Sequence, residues 1–254
     1  MHRQTLLIPK LAFITAWAWE GYGIPPAVVG MNENWLSSDA KQQFEDKVLT
    51  VLTDAGVAAG GTLTHEFRET IAILATGGRQ FIAWAGDVTT GETGGILVSS
   101  NGREAARLLR MEKMVRIDPV PPDRAAESLV DALPDIPPAA INPVAVPKSL
   151  YSPNGPGRSE NFRFDMPNRY GPRDPTLRPR TLMAGKRSGM HQLYAGRGEA
   201  RSAPLTVVDV VGEGRVLTFV SEIPGQEPKV HFLPGTWQNL TQALYSPPPA
   251  RPTR

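Results

Sequence analysis

The sequence predicts a mixed α+β protein of pseudo-twofold architecture, with two related β-rich halves forming a mainly antiparallel central sheet with packed helices. Two stretches repeat one order of elements at an offset of about 112 positions, so that Gly102-Arg103 in the first answers Gly214-Arg215 in the second. The first copy runs from Phe81-Ile82-Ala83-Trp84-Ala85-Gly86 through Gly95-Ile96-Leu97-Val98 and a glycine turn to a proline-led helix ending at Leu133. The second runs from His191-Gln192-Leu193-Tyr194-Ala195-Gly196 through Leu205-Thr206-Val207-Val208 and a glycine turn to a helix ending at Leu244. Each copy alone would leave a sheet edge and a sheet face unburied, which favours two halves sharing one sheet. The apolar period also changes along the chain, from helical before residue 80 to short strands after it.

Taken in order, residues 4–9 read as a short strand and 10–21 as a helix rich in Ala and Trp, closed by Gly21-Tyr22-Gly23 and Pro25-Pro26. Ser38-Asp39 open a second helix, on which Ala40, Phe44, Val48, Leu52 and Ala55 recur at helical spacing. Gly56 stops it, as the residue best able to take a left-handed conformation. Thr62 or Thr64 caps a third helix with Leu63, Phe67, Ile71, Leu74 and Ala75 as its apolar stripe and Gly77-Gly78 at its end. Strands follow at 81–85, 95–99, 105–109 and 114–117, with a polar loop at 87–94. Asn101-Gly102 marks a hairpin, because both residues tolerate positive φ and a primed turn matches strand twist. Residues 121–133 form a short amphipathic helix with proline in its first turn, where a missing amide hydrogen costs little. Eleven prolines between 134 and 180 are too dense for long helices or inner strands. After an ambiguous stretch at 181–190, the second strand set begins at His191, continues through 205–211 and 216–220, and closes with a helix over 236–245. The expected organisation is a single domain, 1–245, made of a first half 1–135, a proline-rich linker 136–180 and a second half 181–245. A proline-rich tail at 246–254 is expected to be disordered.

Chemistry is conspicuous by its absence. The sequence has no cysteine, which excludes disulfides, thiolate metal sites and cysteine nucleophiles. Its four histidines, His2, His65, His191 and His231, have no metal-ligand spacing. Gly185-Lys186-Arg187-Ser188 lacks the upstream glycine of a phosphate loop, and Gly212-Glu213-Gly214-Arg215 joins two strands instead of opening a helix. No Gly-x-Ser-x-Gly elbow is present. Asp209 is embedded in an apolar run, either on the wet face of an antiparallel sheet or as a partly buried carboxylate paired with an arginine. No enzyme, cofactor or metal is therefore expected. The apolar stretch 11–19 superficially suggests a signal peptide, but Pro9 and Lys10 interrupt it and it is too short to span a bilayer, so a folded helix and no membrane insertion are expected. Net charge is +2, yet 157–201 holds ten Lys or Arg against four Asp or Glu. That segment reads as a solvated linker, or as the footprint of a nucleic-acid or anionic-surface adaptor. The scarcity of interleaved aromatic residues favours the linker, and no nucleic acid is expected.

The order of elements resembles the EspG family of ESX (type VII) secretion-associated proteins. Residues 11–19 followed by Gly23-Ile24-Pro25 look like that family's first helix and its exit, and Leu49-Thr50-Val51-Leu52-Thr53-Asp54-Ala55-Gly56-Val57 is similar to its helix ending in a Gly-Val pair. Ala132-Leu133-Pro134-Asp135 resembles the end of its first half. Pro204-Leu205-Thr206-Val207-Val208-Asp209, Gly214-Arg215-Val216 and the run 230–234 with the last helix look like its closing strand-strand-helix segment. The resemblance implies a cytosolic, cytoplasmic chaperone without catalysis, whose partner is the hydrophobic tip of a helical PE-PPE-like heterodimer. Self-association as a homodimer is left open. It places partner contacts on the loop made of Asp87, Val88, Thr89, Thr90, Gly91, Glu92, Thr93 and Gly94, against the alternative of an ordinary mobile hairpin tip. It also implies a structural role for Asp209. The chain departs from the family between the halves, where members usually carry a helical segment and this sequence is proline-rich from 137 to 180.

Overall fold

The computed structural model describes residues 4–30, 38–150, 177–197 and 200–249. It divides into two compact units, the first comprising Met1–Trp84, Gly94–Ala132 and Gly196–Glu199, and the second Ala85–Thr93, Leu133–Ala195 and Ala200–Arg254.

The first unit begins with β1 (Leu6–Pro9), α1 (Lys10–Trp19), α2 (Ser38–Asp54), the small hairpin β2 (Ala58–Ala59) and β3 (Thr62–Leu63), and α3 (His65–Thr76). It continues through β4 (Arg79–Asp87), β5 (Thr93–Ser100), β6 (Ala105–Arg110), β7 (Met114–Val120) and α4 (Ala125–Val130), the end of β4 being counted with the second unit. Its strands lie in the order β1-β7-β6-β5-β4. The β1–β7, β7–β6 and β6–β5 pairs are antiparallel, and Pro9 closes the four-residue edge strand β1. Helix ends obey local chemistry: the Thr64 hydroxyl accepts from the Phe67 amide at 3.4 Å, and Gly56 takes φ +71° after α2. The helices and strands bury Ile8, Phe13, Phe67, Ile71, Leu74, Phe81, Leu97, Leu108, Ile117 and Leu129 almost completely. Each such side chain contributes about 1.5–3 kcal/mol relative to exposure.

In the second unit come β8 (Val144–Pro147), α5 (Leu177–Met183), β9 (Arg187–Arg197), β10 (Ala200–Arg201), β11 (Leu205–Val210), β12 (Gly214–Ser221), β13 (Lys229–Pro234) and α6 (Trp237–Tyr245). The strand order is β9-β11-β12-β13-β8, antiparallel throughout. One apolar cluster gathers Leu182 of α5 with Val216, Val230, Phe232, Val146 and Ala139. Thr236 caps α6 by accepting from the Asn239 amide at 3.1 Å.

The duplication read from the sequence is present as order: α3-β4-β5-β6-β7-α4 in one run and α5-β9-β11-β12-β13-α6 in the other, with the two-residue β10 added between β9 and β11. It extends to a detail of packing. Gly77 follows α3 and Gly185 follows α5, and both are pressed against the second strand of their own run. A Cβ at Gly77 would stand 2.1 Å from Ser99 Oγ, and one at Gly185 would stand 2.8 Å from Val210 Cγ1.

Some elements differ from the sequence reading. The Asn101-Gly102 hairpin is a four-residue loop between the paired Ser100 and Ala105, because the Asn101 side chain accepts from the amides of Arg103 and Glu104, both at 2.9 Å. The proline-rich segment supplies β8, at the end of its unit's strand order, and the seven-residue α5, with Pro179 in its first turn. Both placements tolerate a missing amide hydrogen. Residues 151–176 of the linker and 250–254 of the tail lie outside the described residues. Within the described part of the tail, the Pro248 carbonyl accepts from the Ala203 amide at 3.2 Å.

Gly77→Ala is expected to lower unfolding stability by about 1–3 kcal/mol, since the new methyl group also meets the Ile73 carbonyl at 2.7 Å. In urea titrations the midpoint should fall with an unchanged slope; an unchanged midpoint would show that the contact is not tight.

Candidate functional site

The 87–94 loop is exposed from Asp87 to Thr93, but it is internally organised. Asp87 Oδ1 accepts from the Thr89 amide at 2.7 Å, the Thr89 hydroxyl at 2.5 Å and the Thr90 amide at 3.1 Å. The Thr90 hydroxyl accepts from the Glu92 amide at 3.2 Å, and main-chain bonds run from Asp87 N–H to Glu92 O and from Gly91 N–H to Asp87 O, both 2.9 Å. Gly91 takes φ +74°, which lets the chain turn back into β5. Hydrogen bonds from the Thr89 hydroxyl, then from the Thr90 and Thr89 amides, hold the Asp87 carboxyl below its ordinary pKa. The strands extend to Asp87 and from Thr93, so the irregular part shrinks to 88–92.

Neighbouring groups on β9 were not visible in the sequence. The Val88 amide donates to the Ser188 carbonyl at 2.9 Å, tying the loop's entry to β9 within the second unit. Val88 is 55% exposed and Met190 43%, and a Cβ at Gly86 would lie 3.3 Å from the Met190 carbonyl. The loop therefore combines a fixed run of polar groups with the solvent-facing Val88, and the exposed Met190 lies on the neighbouring strand β9.

Strands β9, β11 and β12 also bring together a buried charged cluster. Arg215 donates to Asp209 through Nε at 2.6 Å and Nη2 at 2.8 Å, and His191 Nε2 lies 2.9 Å from the second carboxylate oxygen. All three are buried. Of the two sequence alternatives for Asp209, the arginine pair is the one realised. Burial pushes the Asp209 pKa up, but the hydrogen bonds from Arg215 and then His191 outweigh it and bring the value down to about 2. Arg215 is fixed through its backbone too, donating to Pro137 O at 2.7 Å and accepting from Ala139 N–H at 2.9 Å and Gly235 N–H at 2.8 Å. A cluster so enclosed holds strands together and offers no access to a substrate. His191 was missed because its partnership needs the β9–β11 register, which sets it opposite Val207.

The remaining candidates are surface or packing groups. His65 pairs with Glu69 at 3.3 Å across one exposed helical turn. His231 stacks on Phe219 with ring centroids 4.7 Å apart and meets Ser221 Oγ at 2.7 Å; burial, then the nearby Lys229, lowers its pKa. Among the described residues no group of His, Asp and Glu has the arrangement of a metal site. Of the basic segment 157–201, residues 157–176, 198 and 199 lie outside the described residues; Arg178 pairs with Glu213, and Arg187 Nη2 donates to the Met183 carbonyl at 3.3 Å.

A profile of the EspG family matches residues 9–246. The chain belongs to the EspG family. Among solved structures, the type VII secretion system chaperone EspG5 of Mycobacterium tuberculosis, in complex with a PE25-PPE41 dimer, is similar with a TM-score of 0.64. The likeness covers 95% of this chain and 95% of that chain at 13% sequence identity. At that identity it establishes a shared fold. No curated protein matches the chain in sequence. This EspG-family chain has, among its described residues, no helix long and apolar enough to cross a membrane.

Because the folded pKa of Asp209 lies below its ordinary value of 3.8, the cluster's contribution is present above about pH 4 and is lost as pH falls through about 2. Asp209→Asn, which leaves Arg215 buried without its counter-charge, is expected to cost roughly 3–5 kcal/mol at pH 7. That deficit should narrow as pH falls from 4 to 2; a variant as stable as the parent at pH 7 would mean that the cluster is not buried.

Proposed function

We propose that this EspG-family chain is a cytosolic, non-enzymatic chaperone of type VII secretion that binds the hydrophobic tip of a helical PE-PPE-like heterodimer and keeps it soluble until export. The observation that carries the reading is the fold shared along 95% of the chain with EspG5, whose solved structure contains a PE25-PPE41 dimer. The binding residues on this reading are those of the 87–94 loop, with Met190 beside them. An exposed apolar tip is an aggregation liability, and covering it requires a complementary surface and no bond-making chemistry. Val88 and Met190 supply apolar contact, while Thr89, Thr90 and Glu92 supply a polar border. The hydrogen bonds made by Asp87 hold the loop in one shape before the partner arrives, which reduces the ordering cost of association.

Co-expression with a PE-PPE-like pair from the same genome is expected to yield a complex that co-purifies. Asp87→Ala should weaken it by about ten-fold through loss of loop order, and Val88→Asp by at least as much, since a charge would enter an apolar contact. Both changes lie on exposed positions, so thermal unfolding should move little. Unchanged affinity in both variants would remove the loop from the interface, and failure to co-purify with every such pair would count against the chaperone reading itself.

A further inference from the structure

The first unit contains a cavity of about 350 Å³ between the end of α1, the middle of α2 and the β2–β3 hairpin. Leu63, buried, and Leu49, half-buried, give it an apolar floor, and Trp19 stands on its wall with 38% of its surface open. Three carboxylates, Glu20, Glu45 and Asp46, line the same space with one guanidinium, Arg68. Glu20 is matched by Arg68 at 3.3 Å. Glu45 has only a long 3.9 Å approach from Lys41 on an exposed helical face, and Asp46 has no ion pair among the described residues. The cavity thus keeps an excess of negative charge above an apolar floor.

We propose that this cavity takes the lysine or arginine side chain of a peptide segment from a protein partner. A hydrocarbon stem fits Leu49 and Leu63, and a terminal cation meets the Trp19 ring face and the carboxylates of Glu45 and Asp46. The volume lies at the small end of the range of about 300–1,000 Å³ for ligand pockets, which suits one side chain. The β2–β3 turn gives the reason for a peptide. Gly60 and Gly61 both take positive φ, at +57° and +81°, and nothing lies within 4 Å of the place where a Cβ on Gly61 would sit. That opening at the cavity wall allows a main chain to approach closely. The proposal stands on the first unit alone and does not depend on the 87–94 loop or on the nature of its client.

The test is a titration of the isotope-labelled full chain with Nα-acetyl-lysine N-methylamide, followed at the tryptophan indole N–H resonances. Nα-acetyl-norleucine N-methylamide, with the same stem and no charge, is the comparison. Saturable shifts of the Trp19 indole with the lysine probe and not with the norleucine probe are expected. The Glu45→Gln, Asp46→Asn double variant removes both charges while keeping side chains of nearly the same shape, and should bind the lysine probe about three- to ten-fold more weakly. Trp19→Leu should weaken it about three-fold, read at the Leu49 and Leu63 methyl groups. Equal responses to the two probes, silence at Trp19, or undiminished binding in the double variant would each overturn the proposal.

Discussion

The bond between Asp209 and Arg215 is the constraint around which the second unit is arranged. A buried ion pair adds little net stability compared with apolar residues of similar volume, yet it is intolerant of partial assembly. Asp209 and Arg215 face each other in the β11–β12 register, and His191 reaches the same carboxylate from β9. A slip of one residue in either pairing would turn the carboxylate to the opposite face and strand a charge in the interior. The cluster also explains nearby glycines. A Cβ on Gly189 would sit 3.0 Å from Asp209 Oδ2, and one on Gly235 would sit 2.2 Å from Arg215 Cγ. The start of the proline-rich linker is recruited as well, since Pro137 and Ala139 satisfy the backbone of Arg215.

The first unit solves the same problem with different strands. Asp118 on β7 accepts from Arg107 Nη2 at 2.9 Å, Arg116 Nε at 2.8 Å and the Thr5 hydroxyl at 2.8 Å. Arg107 also donates to the Ser128 carbonyl at 2.9 Å, so one guanidinium joins the sheet to α4. Duplicated order has therefore not preserved the position of the central carboxylate: it lies on the last strand of one run and on the second strand of the other. What the two runs keep in common is the glycine after the leading helix, where backbone proximity admits no side chain.

Much of this architecture could be read from the chain because it rests on local rules. Gly56 ends a helix, Thr64 caps one, and the alternation around 205–211 marks a strand, all without distant partners. The place of the 87–94 loop was legible for the same reason, though its flanking strands run on to Asp87 and from Thr93. Its internal order rests on local bonds from Thr89 and Thr90, two and three residues on, to the Asp87 carboxylate, a spacing that was present in the sequence and was not read. Asp209 stayed ambiguous until Arg215 lay across from it, and His191 and Met190 acquired meaning only through a register set by β11 and the loop. Element α5 was hidden by its neighbours, since a seven-residue helix holding a proline has almost no periodicity to show. The β2–β3 hairpin, two residues on each side, is shorter than any alternation can reveal.

The edge strands β1 and β8 have a consequence for behaviour in crowded solution. Each is four residues long and ends in proline, with Pro143 directly before β8. Such an edge presents too few free amide and carbonyl groups to recruit another strand in register. Raising the concentration of the chain should therefore leave these edges poor seeds for cross-β growth, whereas a long uninterrupted edge would nucleate it in proportion to abundance. Any self-association of the chain would then have to start from side-chain surfaces and not from these two strand edges.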